Sequence, residues 1–173
     1  MSSNVFHNKN EQKPEAHGKP GVTDPYESGM VTTPFIILRP GIVCRVVAVI
    51  TSVKEKRGLR LIHPQTRCFR KNEVHELLMT DEMEASPGGT VDRIAGIGFV
   101  EFVKGGVMIR GDKVIIGGRE IGEIVGFDET HMPNHYNIVL KGSKMITGET
   151  LGIKAGDEIF ISGDEGGEQN AQD

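Results

Sequence analysis

The chain has no tryptophan, two tyrosines, two cysteines and no apolar run of membrane-spanning length. A membrane helix needs about 20 consecutive apolar residues, so no transmembrane segment is expected. The N-terminus lacks an apolar h-region, which argues against a secretory signal. Cys44 and Cys68 are too few for a disulfide framework and lack CxxC spacing. They read as reduced thiols of a cytoplasmic protein. Positive charge is also scarce, with 20 Lys and Arg against 24 Asp and Glu, a net charge of -4. Nucleic-acid binding needs the opposite balance to displace counterions. No GxxxxGK[ST] is present and no GxGxxG opens a helix, so a nucleotide-binding fold is not expected.

Glycine, by contrast, is abundant: 23 in 173 residues point to many turns and many short strands. Residues 1–30 are rich in Pro, Gly and polar side chains, and residues 163–173 are acidic and glycine-rich. Both read as disordered tails. His7 and His17 fall in the first tail and are set aside as site residues. One folded domain is expected over 31–162. The β-branched run 42-IVCRVVAVITSV-53 reads as a buried strand. Further strands are expected at about 59–64, 91–103, 107–110, 112–116, 120–126, 136–141 and 157–162. Gly105-Gly106 and Gly117-Gly118 suit tight hairpins, where positive φ is needed.

One helix is predicted, 72-NEVHELLMTDEMEA-85. Asn72 would cap it, Glu73 and Glu76 would favour its N-terminal end, and Val74, Leu77 and Leu78 would form its apolar stripe. An internal echo links RGDKVIIGG at 110–118 with AGDEIFISG at 155–163. It reads either as a common Gly-Asp turn or as a pseudo-symmetric pair of strands. Many strands, one short helix and no βαβ alternation together predict a mainly β fold, a small glycine-rich β-barrel. Such barrels often hide strand edges by self-association, so a homo-oligomer is expected.

The densest set of ligand-capable groups is 126-GFDETHMPNHYNIVLKG-142. Pro133 places His131 and His135 on an irregular loop between two strands, not on one helical face. Three readings are open. In the first, Asp128, His131 and His135, with His63 or His75 brought from elsewhere, hold a divalent transition metal. In the second, His131 or His135 moves a proton on a small metabolite, oriented by Asp128 or Glu129, while Thr130, Asn134 and Asn137 supply hydrogen bonds to the ligand. In the third, the loop ties itself together, Asp128 and Thr130 bonding nearby amides.

Other constellations are weaker. The stretch 73-EVHE-76 is like a fragment of a zinc-hydrolase helix but lacks the second histidine. Acidic residues in 80-TDEMEA-85 read as a solvated face or, through Asp81, Glu82 and Glu84, as a loose site for a hard cation. Arg57, Arg60, Arg67, Arg70 and Lys71 read as a solvated strand face or as one mouth of the barrel receiving a carboxylate or phosphate, with Arg67 the ligand contact.

The runs 73-EVHELLMTDE-82, 86-SPGGTVDRIAGIGFVEF-102 and 122-GEIVGFDETHMPNHYNIV-139 resemble a bacterial family of uncharacterised small proteins. More remotely, Gly111-Asp112, Val125-Gly126, His135, Gly142 and Gly156-Asp157 are similar in order to the sorbitol-specific enzyme IIA of the sugar phosphotransferase system. That resemblance implies a small cytoplasmic β-rich phosphocarrier or accessory protein. The family's Asn-Leu and Leu-Gly-His are replaced here by THMPNH, so no phosphorylated histidine is carried over. The favoured expectation is a small-molecule site at the 128–137 loop, with histidine or metal chemistry.

Overall fold

The computed structural model describes residues 23–32 and 39–163. Most of both expected tails, and residues 33–38, lie outside the described residues. The described part of the first tail, 23–32, holds a hydrogen-bonded turn: the Asp24 carboxylate accepts from the backbone N–H of Tyr26 at 2.9 Å and of Glu27 at 3.2 Å.

Among the described residues, twelve strands and one helix follow. They are β1 Ile42–Val49, β2 Val53–Lys54, β3 Leu59–Arg60, β4 Thr66–Phe69, β5 Val74–Thr80, β6 Thr90–Val91 and β7 Ile94–Phe102. Then come β8 Gly106–Ile109, β9 Lys113–Ile116, β10 Arg119–Asp128, β11 Asn137–Lys141, α1 Gly148–Leu151 and β12 Glu158–Ile161. Seven strands close into a barrel in the order β1-β12-β9-β10-β11-β5-β7, with β7 pairing back to β1. All neighbours in the ring are antiparallel except β11 and β5, which run parallel. Closure leaves the ring no free edge for self-association to cover. The mainly β barrel is as expected from the sequence.

Two hydrophobic cores result. The barrel interior is filled by inward side chains such as Cys44, Leu77, Met79, Ile97, Phe102, Phe127, Ile138 and Ile159. Phe69 of β4 and Met108 of β8 join them, and Phe69 stacks on Phe102 with centroids 4.4 Å apart. The interior is thus packed, and a ligand site must lie outside it. A second core lies on the outer wall. Leu78, Ile94, Val125 and Val139 point outward and pack with Leu59, Leu61, Ala85 and Val91, from the β3–β6 pair and its flanking turns.

The helix expected at 72–85 is not there. Residues 74–80 form β5, and the described helix is instead α1. Asn72 takes φ 68°, a left-handed turn that brings the chain into β5 rather than a helix cap. The Leu77, Leu78 pair arises because that part of β5 is buried on both faces, Leu77 entering the barrel core and Leu78 the outer one, while Val74 is exposed. Strand β4 was not anticipated. Gly117-Gly118 does form the expected hairpin, with φ 56° and 74° between paired Ile116 and Arg119. Gly105-Gly106 does not, because β8 pairs with β4 and not with β7.

The internal echo is structural. Gly111 and Gly156 take φ 95° and 97°. Asp112 accepts from the N–H of Ile109, and Asp157 from that of Lys154, both at 2.8 Å. Gly111 and Asp112 exchange backbone bonds with Ile124 as Gly156 and Asp157 do with Val46. The strands that follow, β9 and β12, lie side by side antiparallel. The two Gly-Asp turns are therefore related pseudo-symmetrically across one pair of strands.

Candidate functional site

The barrel register places one row of outward side chains across four strands. Phe99 of β7 pairs with Glu76 of β5, Glu76 with Asn137 of β11, and Asn137 with Asp128 of β10. The 128–136 loop folds over this row. Its backbone closes a turn in which the N–H of His135 donates to the carbonyl of His131 at 3.3 Å, bringing the two rings together. The Met132–Pro133 peptide is cis.

The row serves two ends. At one, Asp128 is 1% exposed, and its carboxylate is committed to the protein. It accepts from the N–H of Arg60 (3.1 Å), the N–H and hydroxyl of Thr130 (3.1 and 2.9 Å) and the side-chain amide of Asn137 (2.7 Å). Asp128, Thr130 and Asn137 thus anchor the loop; Asp128 bonds nearby backbone amides, while the Thr130 hydroxyl donates to Asp128 rather than bonding an amide. Asp128 is not in the histidine cluster.

At the other end, Nδ1 of His131 lies 3.0 Å from Nε2 of His135, and Oε2 of Glu76 lies 3.4 Å from that Nε2 and 4.0 Å from that Nδ1. These three side chains are the described group of His, Cys, Asp and Glu able to converge on one metal ion. Atoms 3.0, 3.4 and 4.0 Å apart lie on a circle of radius about 2 Å, and a zinc–nitrogen or zinc–carboxylate bond is about 2.0–2.2 Å. Glu76 and His135 are largely buried, and His131 is half-exposed. Three ligands, one open side and solvent access match an ion with free coordination positions more than a closed structural site. Around them, the Phe99 and His135 rings meet in a T-shaped pair with centroids 5.0 Å apart, Oδ1 of Asn134 is 2.6 Å from Nδ1 of His135, and Nη2 of Arg57 is 3.3 Å from Nε2 of His131.

The remaining candidates lie apart from this group. His63 rests against Gly88, where an added Cβ would come within 2.7 Å of its ring. His75 points into the barrel beside Phe69, Phe102 and Tyr136, and its Nδ1 accepts the Tyr136 N–H at 2.9 Å. Burial pushes its pKa below the ordinary imidazole value, against the pull of Glu73. Glu73 itself titrates below the usual carboxylate range because the Arg70 N–H bonds it. Arg67 lies over the Tyr136 ring, 3.8 Å from its centroid, and 3.8 Å from Glu129. Burial lowers its pKa, while Glu129 works to raise it. Two clefts of about 580 and 600 Å³ open elsewhere, one beside α1 and the β9–β10 turn and one beside Met83 and Lys141, and neither is lined by the cluster.

Sequence reasoning found both histidines and Asn134 but missed Glu76, which it placed on a helix, and the contacts of Arg57 and Phe99. Nothing local marks Glu76, because its partners arrive through pairing with β11. Arg57 was legible only as one of several basic residues.

A model of a family of unknown function, DUF6917, matches residues 37–162. The chain belongs to this family. No curated protein and no solved structure matches it. These comparisons support the expected uncharacterised family and lend nothing to the likeness to the sorbitol-specific enzyme. The DUF6917 match spans β1 to β12, so it covers the whole barrel together with the loop bearing His131 and His135. Among the described residues, no helix is long and apolar enough to cross a membrane.

Proposed function

We propose that this protein binds a divalent transition metal through Glu76, His131 and His135 and offers its open coordination positions to a small metabolite. The observation that carries this reading is the convergence of Nδ1 of His131, Nε2 of His135 and Oε2 of Glu76 at metal-bridging separations, from one strand and one loop far apart in sequence. Two imidazoles and one carboxylate suit zinc or ferrous iron. Such an ion polarises a bound oxygen and lowers the pKa of bound water. The chain's own part is positional. Asp128 pins the loop, Phe99 fixes the His135 ring by its T-shaped contact, and Asn134 orients the same ring through Nδ1.

The test is metal content by elemental mass spectrometry for the purified wild type, Glu76→Ala and the His131→Ala/His135→Ala double variant. Near one equivalent of a transition metal in the wild type, lost in both variants with the fold retained by circular dichroism, is expected. A wild type that neither purifies with a metal nor takes up zinc or ferrous iron on titration overturns the reading.

A further inference from the structure

We propose that Arg57 is a metal-linked latch on this site: metal binding releases its guanidinium from His131 and presents it to an oxyanion, carboxylate or phosphate, of the incoming ligand. This rests on the metal reading above and adds the ligand's chemical class and a control on access.

Hydrogen-bond polarity fixes the arrangement of protons along this cluster. A guanidinium has only donors, so Nε2 of His131, 3.3 Å from Nη2 of Arg57, must accept. A neutral imidazole with Nε2 accepting carries its proton on Nδ1. That Nδ1 lies 3.0 Å from Nε2 of His135, which therefore accepts. The proton of His135 then sits on its Nδ1, 2.6 Å from Oδ1 of Asn134, an acceptor. Every step from Arg57 to Asn134 has one donor and one acceptor, and the guanidinium sets the direction of the chain. The tautomers are thus assigned by the network.

A metal cannot join this arrangement unchanged. It needs the lone pair of His131 Nδ1, which here holds a proton. A metal-bound neutral imidazole carries its proton on the other nitrogen, and Nε2–H would then face the N–H of Arg57, donor against donor. The Arg57 contact and the metal exclude one another. The backbone at Arg57 is held by bonds to Asp92, from the Arg57 N–H at 2.8 Å and the Gly58 N–H at 3.1 Å, so the side chain is what swings. Once released, it leaves a planar fork of donors and a positive charge beside the ion, while Nε2–H of His131 needs an acceptor. An oxyanion answers both, accepting from His131 and Arg57 while occupying an open metal position.

The first measurement is nitrogen NMR of the histidine side chains in metal-free protein. Wild type should carry the His131 proton on Nδ1, and Arg57→Ala should move it toward Nε2. The second is calorimetric zinc titration of both proteins in chloride and in sulfate at matched ionic strength. Arg57→Ala should bind zinc about 5-fold or more tightly than wild type in chloride, and sulfate should tighten zinc binding by wild type only. Equal zinc affinities with an unmoved tautomer overturn the latch and leave the metal site standing. A tautomer shift and tighter zinc binding without a sulfate effect overturn the oxyanion role. Absence of both zinc and ferrous-iron binding in the two proteins overturns the metal reading and the latch with it.

Discussion

Glu76 of β5 stands opposite Asn137 of β11 across the barrel's parallel seam, and the two side chains serve opposite ends of one loop: Asn137 binds Asp128, while Glu76 faces His135 at 3.4 Å. The two acids of the site therefore have separable jobs. Asp128→Ala strands several buried donors and should cost about 3 kcal/mol of stability. Glu76→Ala removes a largely buried carboxylate that faces only His131 and His135, and should cost no more than about 1 kcal/mol while abolishing metal binding. Urea unfolding in chelator, paired with zinc titration, checks both. A large stability loss in Glu76→Ala, or none in Asp128→Ala, would contradict this division.

The thiols report whether the interior is packed. Cys44 is fully buried in the barrel core, and burial pushes its pKa to about 12, whereas Cys68 is exposed. At pH 8 only about one part in ten thousand of a thiol of pKa 12 is thiolate, the reactive form. An aromatic disulfide reagent should titrate one thiol per native chain and two in guanidinium, and Cys68→Ser should abolish the fast reaction. Two fast thiols in native protein would mean an open barrel.

His75 should make stability fall with acid. Desolvation depresses its folded pKa below 6.5, opposed by Glu73 and assisted by His135 and Arg67. The unfolded chain therefore takes the proton first as pH falls. The contribution is complete above the unfolded pKa of about 6.5 and is lost as pH drops from there toward the lower folded value, with a slope of at most about 1.4 kcal/mol per pH unit. In His75→Asn the side-chain oxygen stands where Nδ1 accepted from Tyr136. Denaturant unfolding in chelator between pH 7.5 and 5 should show the wild type losing more stability than the variant. Parallel profiles would show that His75 takes up its proton alike in the folded and unfolded chain, so that burial does not depress its pKa.

The barrel was legible because its signals are local. β-Branched runs mark β1 and β11, Gly117-Gly118 marks a hairpin whose geometry demands positive φ, and the Gly-Asp echo marks two turns that prove equivalent. The histidine half of the site was legible for the same reason, since His131 and His135 are four residues apart. Glu76 was not. A strand covered on both faces shows no alternation, so 77-LLMT-80, all buried, reads equally as one side of a helix. The outer core that covers it is built from Leu59, Leu61, Ala85 and Val91, which no periodicity within β5 announces. A parallel partner some sixty residues away leaves no trace in either segment, and it is that pairing which brings Glu76 to the loop. Helix α1 was missed because four residues are too few for a periodic pattern, although Thr147 caps it by accepting the Thr150 N–H at 3.1 Å.

That short helix supplies a test of the barrel wall, because its two glycines are needed for different reasons. Gly148 is buried against β7, and an added Cβ would come 1.9 Å from the Ile97 carbonyl oxygen and 2.9 Å from Val49. A backbone carbonyl in a central strand cannot yield, so Gly148→Ala must lift α1 off the wall, at a cost of about 2 kcal/mol or more. Gly152 ends the helix at φ 72° with nothing within 4 Å of its would-be Cβ. Gly152→Ala meets only the left-handed strain, about 1 kcal/mol. Thermal unfolding of the two variants should therefore rank Gly148→Ala as the more damaging. A larger, well-packed Gly148→Ala loss would locate rigidity at the helix–strand contact. Equal or reversed losses would mean that α1 rides loosely on β7 and that its close approach to Ile97 contributes little to holding the barrel shut.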